Sequence, residues 1–290
     1  MAPLRPPLVS VEALAAALGE PALCVVDVRW YLGAPAGTGR AAYDAGHIPG
    51  AVFLDVDRDL VGADGPGRHP LPSPPRFAAM LAGHGIGDDT FVVAYDDVGG
   101  WVAARLWWML EDLGHGDVAV LDGGFPAWLA AGLPTTTAEP MPPERAARLN
   151  LAPAWRKVVD RAALKSRLGS VTLLDARAGE RYRGEIEPID PVAGHILTAR
   201  SAPTGGNLGA DGRFRSPAEL RARFESLGCA VPVGRAPGAD VVTSCGSGVS
   251  ACHNALALRI AGLPDPLLYP GSYSDWSRAG EPVATGPDPG

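Results

Sequence analysis

The sequence predicts an α/β fold built as two tandem domains, each a parallel sheet flanked by helices. Three observations carry that expectation. Short apolar runs that read as buried strands alternate with helical segments, the pattern of an open parallel sheet. The landmarks of the first half recur in the second, in the same order and at nearly the same spacing. Between the halves, Pro134–Pro153 holds Thr135–Thr137, then Pro140, Pro142 and Pro143, a charged stretch and Pro153, the composition of an extended linker. The expected division is a first domain over 1–138, a linker over 139–153 and a second domain over 154–290.

The elements follow in order. Leu8–Leu18 reads as a short Ala-rich helix with Ser10 as its N-cap. Cys24–Arg29 is an apolar strand ending in charge, and the turn Gly46-His47-Ile48-Pro49-Gly50-Ala51 leads into a strand over Val52–Leu54. Ser73–Leu81 is expected to be helical. Thr90–Tyr95 is a second buried strand, ending in Asp96-Asp97; the apolar helix Trp101–Leu113 follows, then a strand over Val118–Leu121 and a short helix entered at Gly123-Gly124. After the linker, Val171–Arg177 is a strand ending Asp-Ala-Arg, as the earlier one ends Asp-Val-Arg.

The repetition is quantitative. Asp27 precedes His47 by 20 positions, and Asp175 precedes His195 by 20. His47 precedes Asp96 by 49 positions, and His195 precedes Cys245 by 50. Gly124–Trp128 matches Gly271–Trp276. The two halves share one ancestry, and only the second has a cysteine in the slot that Asp96 fills in the first.

Bulk properties narrow the function classes. The chain has 290 residues, 47% hydrophobic and 20% charged, an ordinary globular composition long enough for two domains. A net charge of −7 and the lack of a basic run argue against nucleic-acid or acidic-membrane binding. Cys24, Cys229, Cys245 and Cys252 show no CxxC spacing and no paired His, so neither a disulfide framework nor a metal site is expected. No apolar stretch approaches membrane-spanning length, and Met1–Pro7 has neither an h-region nor a cleavage pattern; a reduced cytoplasmic compartment is expected.

The chemistry concentrates in Val241–Cys252. An apolar strand ends at Ser244-Cys245; a small-residue loop, Gly246-Ser247-Gly248-Val249-Ser250, follows, and a helix runs from there through Ile260 towards Gly262. N–H groups of the loop and the positive helix end would face the sulfur and favour thiolate, which makes Cys245 a candidate nucleophile rather than a small buried apolar residue.

Together these landmarks resemble the tandem-domain rhodanese family, the thiosulfate and 3-mercaptopyruvate sulfurtransferases, over nearly the whole chain. The motifs that carry the resemblance are Gly-His-Ile-Pro-Gly-Ala in the first half, Asp175-Ala-Arg…Glu180-Arg181-Tyr182-Arg183-Gly184 in the second, and the loop Cys-Gly-Ser-Gly-Val-Ser-Ala-Cys. The resemblance implies a catalytically silent first domain and a persulfide formed on Cys245, held by the N–H groups of Gly246, Gly248, Val249 and Ser250. It implies covalent, ping-pong sulfur transfer that uses no cofactor. Acceptors would be cyanide, thiols, thioredoxin or another sulfur-acceptor protein.

It also implies a donor site. Gly246 and Ser247, both neutral, stand where thiosulfate-type members carry basic residues, which favours 3-mercaptopyruvate and leaves thiosulfate as the alternative. Arg181 matches a donor-binding arginine whose fork could hold a carboxylate; the competing reading is an exposed surface Arg. A second carboxylate-binding Arg has no match in Glu187-Pro188-Ile189-Asp190, and Arg183 and Arg200 are the substitutes considered. A serine-assisted relay of the mercaptopyruvate type would use Ser247, His69 and Asp57, against the reading of His69 as an exposed loop residue.

Blander readings apply elsewhere. Asp96 reads as an N-cap, His47 and His195 as structural turn residues, Cys252, Trp107, Trp108 and Trp128 as packing. A hydrolase elbow fails because Cys245, not Gly, lies two before Ser247. A Cys-x5-Arg phosphatase loop fails at Ala251. A non-enzymatic persulfide carrier that delivers sulfur to a protein partner is the remaining alternative, kept open by the irregular stretch Leu197–Asn207.

Overall fold

A computed structural model describes residues 6–141, 146–229 and 240–290. They form two compact units. One holds the chain up to Gly62 with Pro72–Arg156 and Ala210–Arg213; the other holds Ala63–Leu71, Lys157–Gly209 and Phe214–Gly290. The short segment before Pro72, which carries Arg68 and His69, therefore packs with the second half of the sequence.

In the first unit the strands are β1 (Leu8–Val9), β2 (Leu23–Asp27), β3 (Val52–Phe53), β4 (Phe91–Tyr95) and β5 (Val118–Leu121), in the order β1-β5-β4-β2-β3 with every pairing parallel. Val92, Val93, Ala94 and Tyr95 of the central strand are all fully buried, as a strand covered on both faces requires. Leu8 and Val9 are an edge strand, not the helix start expected from their apolar character. The helix is Val11–Ala17, capped as expected: Ser10 Oγ accepts from the Ala13 N–H at 3.2 Å. The stretch read as a linker is tied to this unit where it is described. Ala147 and Ala152 donate to the carbonyls of Ala82 and Leu113; beyond that stretch, Trp155 also stacks on Trp108, with centroids 5.8 Å apart. Trp107, Trp108 and Trp128 are core residues.

In the second unit β6 (Thr172–Asp175), β8 (Ala199–Ser201), β9 (Val241–Ser244) and β10 (Leu267–Leu268) pair in parallel in the order β10-β9-β6-β8, while β7 (His195–Ile196) pairs antiparallel with β11 (Val283–Ala284). Adjacent residues of β6 serve opposite faces. Leu173 packs with Leu164, Tyr269, Tyr273 and Trp276; Leu174 packs with Leu220, Phe224, Ala257 and Leu258 of the helices Pro217–Ser226 and Ala251–Ile260. Cys245 follows β9, an interior strand, at the carboxyl edge where open α/β sheets bind ligands.

The duplication extends to individual bonds. Arg29 forks onto Asp27 and donates to Gly46 O; Arg177 forks onto Asp175 and donates to Gly194 O. The first guanidinium lies over Phe125 at 4.4 Å, the second over Tyr273 at 3.8 Å. His47 stacks on Tyr43 and His195 on Tyr182, and each Nδ1 faces that tyrosine's carbonyl, so both histidines serve the turns. Thr198 keeps a left-handed backbone, φ 66°, where the first half has Gly50 at 78°. The turn after Gly-His-Ile thus survives in the second half with Thr198 in place of the glycine.

Candidate active site

Cys245 is 2% exposed. Its Sγ accepts the Gly248 N–H at 3.1 Å. Gly248 has φ +82°, and a Cβ there would lie 2.5 Å from Pro270 O, so backbone and space both demand glycine. The next turn of chain starts the helix Ala251–Ile260: Val249 O accepts from Cys252 and Ser250 O from His253. Cys252 is fully buried and its Sγ donates to Gly248 O at 3.5 Å, a packing role as expected.

Opposite the loop, Tyr273 N–H donates to Cys245 O and Ser274 N–H to Gly246 O, each at 2.9 Å. Ser272, at φ 51°, accepts the Cys245 N–H on its Oγ at 3.1 Å, and that hydroxyl lies 4.0 Å from Sγ. The first half has Gly124 at the same place, with φ 57°. A serine held in a glycine conformation beside the nucleophile went unnoticed in the sequence; the signal was the Gly124–Ser272 difference within the repeat.

The first-half slot explains itself. Asp96 is fully buried and accepts four backbone N–H bonds of 2.8–2.9 Å, from Val98, Gly100, Val102 and Ala103. The N-cap of the helix Ala103–Asp112 is Val102, not Asp96 as expected; Asp96 accepts the Val102 and Ala103 N–H groups at that helix end from within the preceding loop. Burial pushes its carboxyl up, against the pull of those four donors.

Two of the relay residues meet: His69 Nδ1 and Ser247 Oγ share a 2.7 Å hydrogen bond, and both are buried, at 8% and 6% exposure. His69 is therefore not an exposed loop residue. Asp57 belongs to the other unit, where it accepts from Trp30 Nε1 at 2.9 Å.

Arg181 is 9% exposed, which overturns the surface reading. Its Nη2 donates to Glu187 Oε1 at 2.6 Å and Asp190 Oδ2 at 3.2 Å. Arg183 pairs instead with exposed Glu185, and Arg200 lies against Gly228. The second guanidinium near the loop is Arg68, which the sequence reading missed because it lies far away in the other half. It pairs with Asp190, its backbone N–H donates to Ser274 Oγ at 3.1 Å, and its Nη2 would lie 3.0 Å from a Cβ on Gly246. Arg181 Nη1 would lie 3.6 Å from the same point. Burial pushes the Glu187 carboxyl up, but bonds from Arg181 and from the N–H groups of Asp190 and Ile189 outweigh it and hold it below the usual range.

Two units of one duplicated α/β design, one with an anchored Asp and one with a cradled Cys in the same slot, define a tandem α/β protein. The rhodanese-like domain model matches residues 10–131 and again 160–279, so the chain belongs to that family. It is 47% identical over 286 residues to "Probable 3-mercaptopyruvate sulfurtransferase" of Pseudomonas aeruginosa, covering 96% of this chain and 98% of that one. It is 38% identical over 293 residues to the thiosulfate sulfurtransferase of Rattus norvegicus, covering 95% and 93%. Among solved structures it matches 3-mercaptopyruvate sulfurtransferase from Leishmania major with a TM-score of 0.81 and 31% identity, over 96% of this chain and 76% of that one. Among the described residues no helix is long and apolar enough to cross a membrane, and no cluster of His, Cys, Asp or Glu could hold a metal ion.

Proposed function

We propose that the protein is a sulfurtransferase that takes a sulfane sulfur from 3-mercaptopyruvate onto Cys245 and yields it to a thiophilic acceptor. The observation that carries the reading is the Gly248 N–H on the Cys245 sulfur, with two guanidinium groups beside the adjoining Gly246. The Cys245 thiolate attacks the donor sulfur; the S–S bond forms as the donor's C–S bond breaks. The carbon takes the electron pair as an enolate, which gains the proton that the new persulfide gives up, so pyruvate leaves and Cys–S–S⁻ remains. Attack by cyanide or a thiolate on the outer sulfur then restores the Cys245 thiolate.

The chain's own groups divide the work. Loop N–H groups stabilise sulfur anions as an oxyanion hole does. Arg181 and Arg68 hold the donor carboxylate by charge-assisted bonds. Ser247, hydrogen-bonded to His69, polarises the donor and passes the proton. The neutral loop positions Gly246 and Ser247 favour 3-mercaptopyruvate over thiosulfate. Thioredoxin or another thiol protein in a reducing cytoplasm is the proposed acceptor.

Intact-mass measurement after adding 3-mercaptopyruvate should show a gain of roughly 32 Da, one sulfur, as the covalent step requires. Cys245→Ser should abolish both that gain and turnover. Substantial turnover by Cys245→Ser would overturn the mechanism. A mass gain with no turnover to cyanide or thiols would favour the carrier alternative.

A further inference from the structure

The donor side of the Cys245 loop is almost electrically balanced. Two guanidinium groups approach the position a Cβ would take on Gly246, Arg68 Nη2 at 3.0 Å and Arg181 Nη1 at 3.6 Å, and the aliphatic Cδ of a third arginine, Arg177, lies at 3.9 Å. Three buried carboxylates answer them. Asp175 holds Arg177 in a fork. Glu187 accepts from Arg181 and, at 3.3 Å, from Arg177. Asp190, with a fully buried side chain, accepts from Arg68 and Arg181 together.

The silent half separates scaffold from site. Its Asp27–Arg29 fork matches Asp175–Arg177, so that pair belongs to the shared fold. Four positions after Arg29 stands Gly33, where the second half has Arg181. Arg181, Glu187, Asp190 and the incoming Arg68 are the second half's own additions, and two of the four are acidic. A site built only to attract an anion would omit them. Each added arginine commits one terminal nitrogen to a carboxylate and turns the other towards the loop; among the described residues no carboxylate bonds that second nitrogen.

We propose that Asp190, with Glu187, determines donor specificity: the two carboxylates neutralise Arg68 and Arg181, so the site presents directed N–H donors with little net positive charge and selects a monoanionic carboxylate donor over a dianion such as thiosulfate. The inference rests on the sulfurtransferase reading and deepens it. Hydrogen bonds from a fixed fork reward one planar carboxylate whatever the surrounding charge. A dianion needs excess positive charge to offset its greater loss of hydration, and the internal carboxylates remove that excess. Asp190 also orients both arginines, since one carboxylate bridges them.

The test compares wild type with Asp190→Asn, which keeps the shape and removes the charge, using kcat/KM for 3-mercaptopyruvate and for thiosulfate at low and high ionic strength. The ratio of thiosulfate to 3-mercaptopyruvate efficiency should rise about tenfold, equivalent to about 1.4 kcal/mol. The rise should appear mainly in the thiosulfate KM and shrink at high salt, since a surplus guanidinium charge is screened. A merely structural Asp190 would lower both efficiencies together, and an unchanged ratio would overturn the proposal. Should Asp190→Asn misfold, inhibition of the wild type decides instead: pyruvate should compete with the donor more strongly than sulfate does, and stronger inhibition by sulfate would overturn the proposal. Failure of the underlying reading looks different, because then no persulfide mass forms on wild type with either donor.

Discussion

Two glycines of the cysteine loop should respond to the same added methyl group in opposite ways. At Gly248 the backbone is left-handed, φ +82°, and the new Cβ would meet Pro270 O at 2.5 Å, a backbone atom that cannot swing aside. The left-handed conformation costs a non-glycine residue about 1–2 kcal/mol, and relief of the clash must move the loop. The same residue supplies the N–H that bonds Cys245 Sγ. Loss of one such donor to a developing anion costs about 100- to 1,000-fold in kcat. Gly248→Ala is therefore expected to lower kcat at least about 100-fold while the protein remains folded. At Gly246 φ is not left-handed, and the nearest atoms are the guanidinium ends of Arg68 and Arg181, at 3.0 and 3.6 Å, which can yield. Gly246→Ala should spare the sulfur cradle and crowd the donor's carboxylate, so it should raise the KM for 3-mercaptopyruvate about tenfold with a smaller change in kcat. Steady-state kinetics with circular dichroism as the folding control makes the comparison. A Gly248→Ala protein within about threefold of wild-type kcat would refute the cradle, whatever Gly246→Ala does.

Sulfur loading should be confined to Cys245: burial pushes the Cys24 and Cys229 thiols up to about 12, so peptide mapping after donor treatment at pH 8 should find persulfide on neither. Burial pushes the Asp265 carboxyl up, but bonds from Arg259 and Lys157 outweigh it, so its folded-state value is depressed. A depressed carboxylate adds stability above its unfolded value, about 3.9, and loses it as pH falls through the folded value. The melting-temperature deficit of Asp265→Asn should accordingly be full at pH 7 and shrink below about pH 4; a deficit independent of pH would contradict the pairing. Asp96→Ala strips four buried N–H groups of their acceptor, at about 1 kcal/mol or more each, and should lower the melting temperature by about 10 °C. A fall under about 2 °C would show that the loop reorganises without its anion.

Local and repeated features were legible in the sequence. The apolar runs became β2, β4, β6 and β9, Ser10 capped its helix, and equal spacing between landmarks disclosed two copies of one design. Cys245 was legible because strand, small-residue loop and helix are contiguous. What stayed hidden depends on long-range pairing. Leu8 and Val9 carry no helix-or-strand signal of their own; their parallel partners in β5, Val120 and Leu121, lie more than a hundred residues away. Arg68 reaches the Cys245 loop because its segment packs with the second unit, across a sequence gap that no local motif spans. Arg68, which pairs with Asp190, is its neighbour in space and 122 positions away in the chain. Glu187 and Asp190 looked like interruptions of a basic motif; in the folded protein they hold the arginines.

The Asp96 slot also bears on what the Cys245 loop is shaped to hold. A carboxylate oxygen of Asp96 is three bonds from its Cα, and four N–H groups converge on the two oxygens at 2.8–2.9 Å. The Cys245 sulfur is two bonds from its Cα, and the outer sulfur of a persulfide would be three. The copies share a left-handed glycine three positions after the slot residue, Gly99 at 85° after Asp96 and Gly248 at 82° after Cys245, and the slot residue's carbonyl accepts from the backbone N–H of an aromatic, Phe125 or Tyr273. Asp96 thus fills the first cradle permanently with an acceptor of the reach that Cys245 attains only after it gains a sulfur. On the proposed chemistry the two copies differ in what fills the cradle: in one the acceptor is part of the chain, and in the other the outer sulfur arrives and leaves.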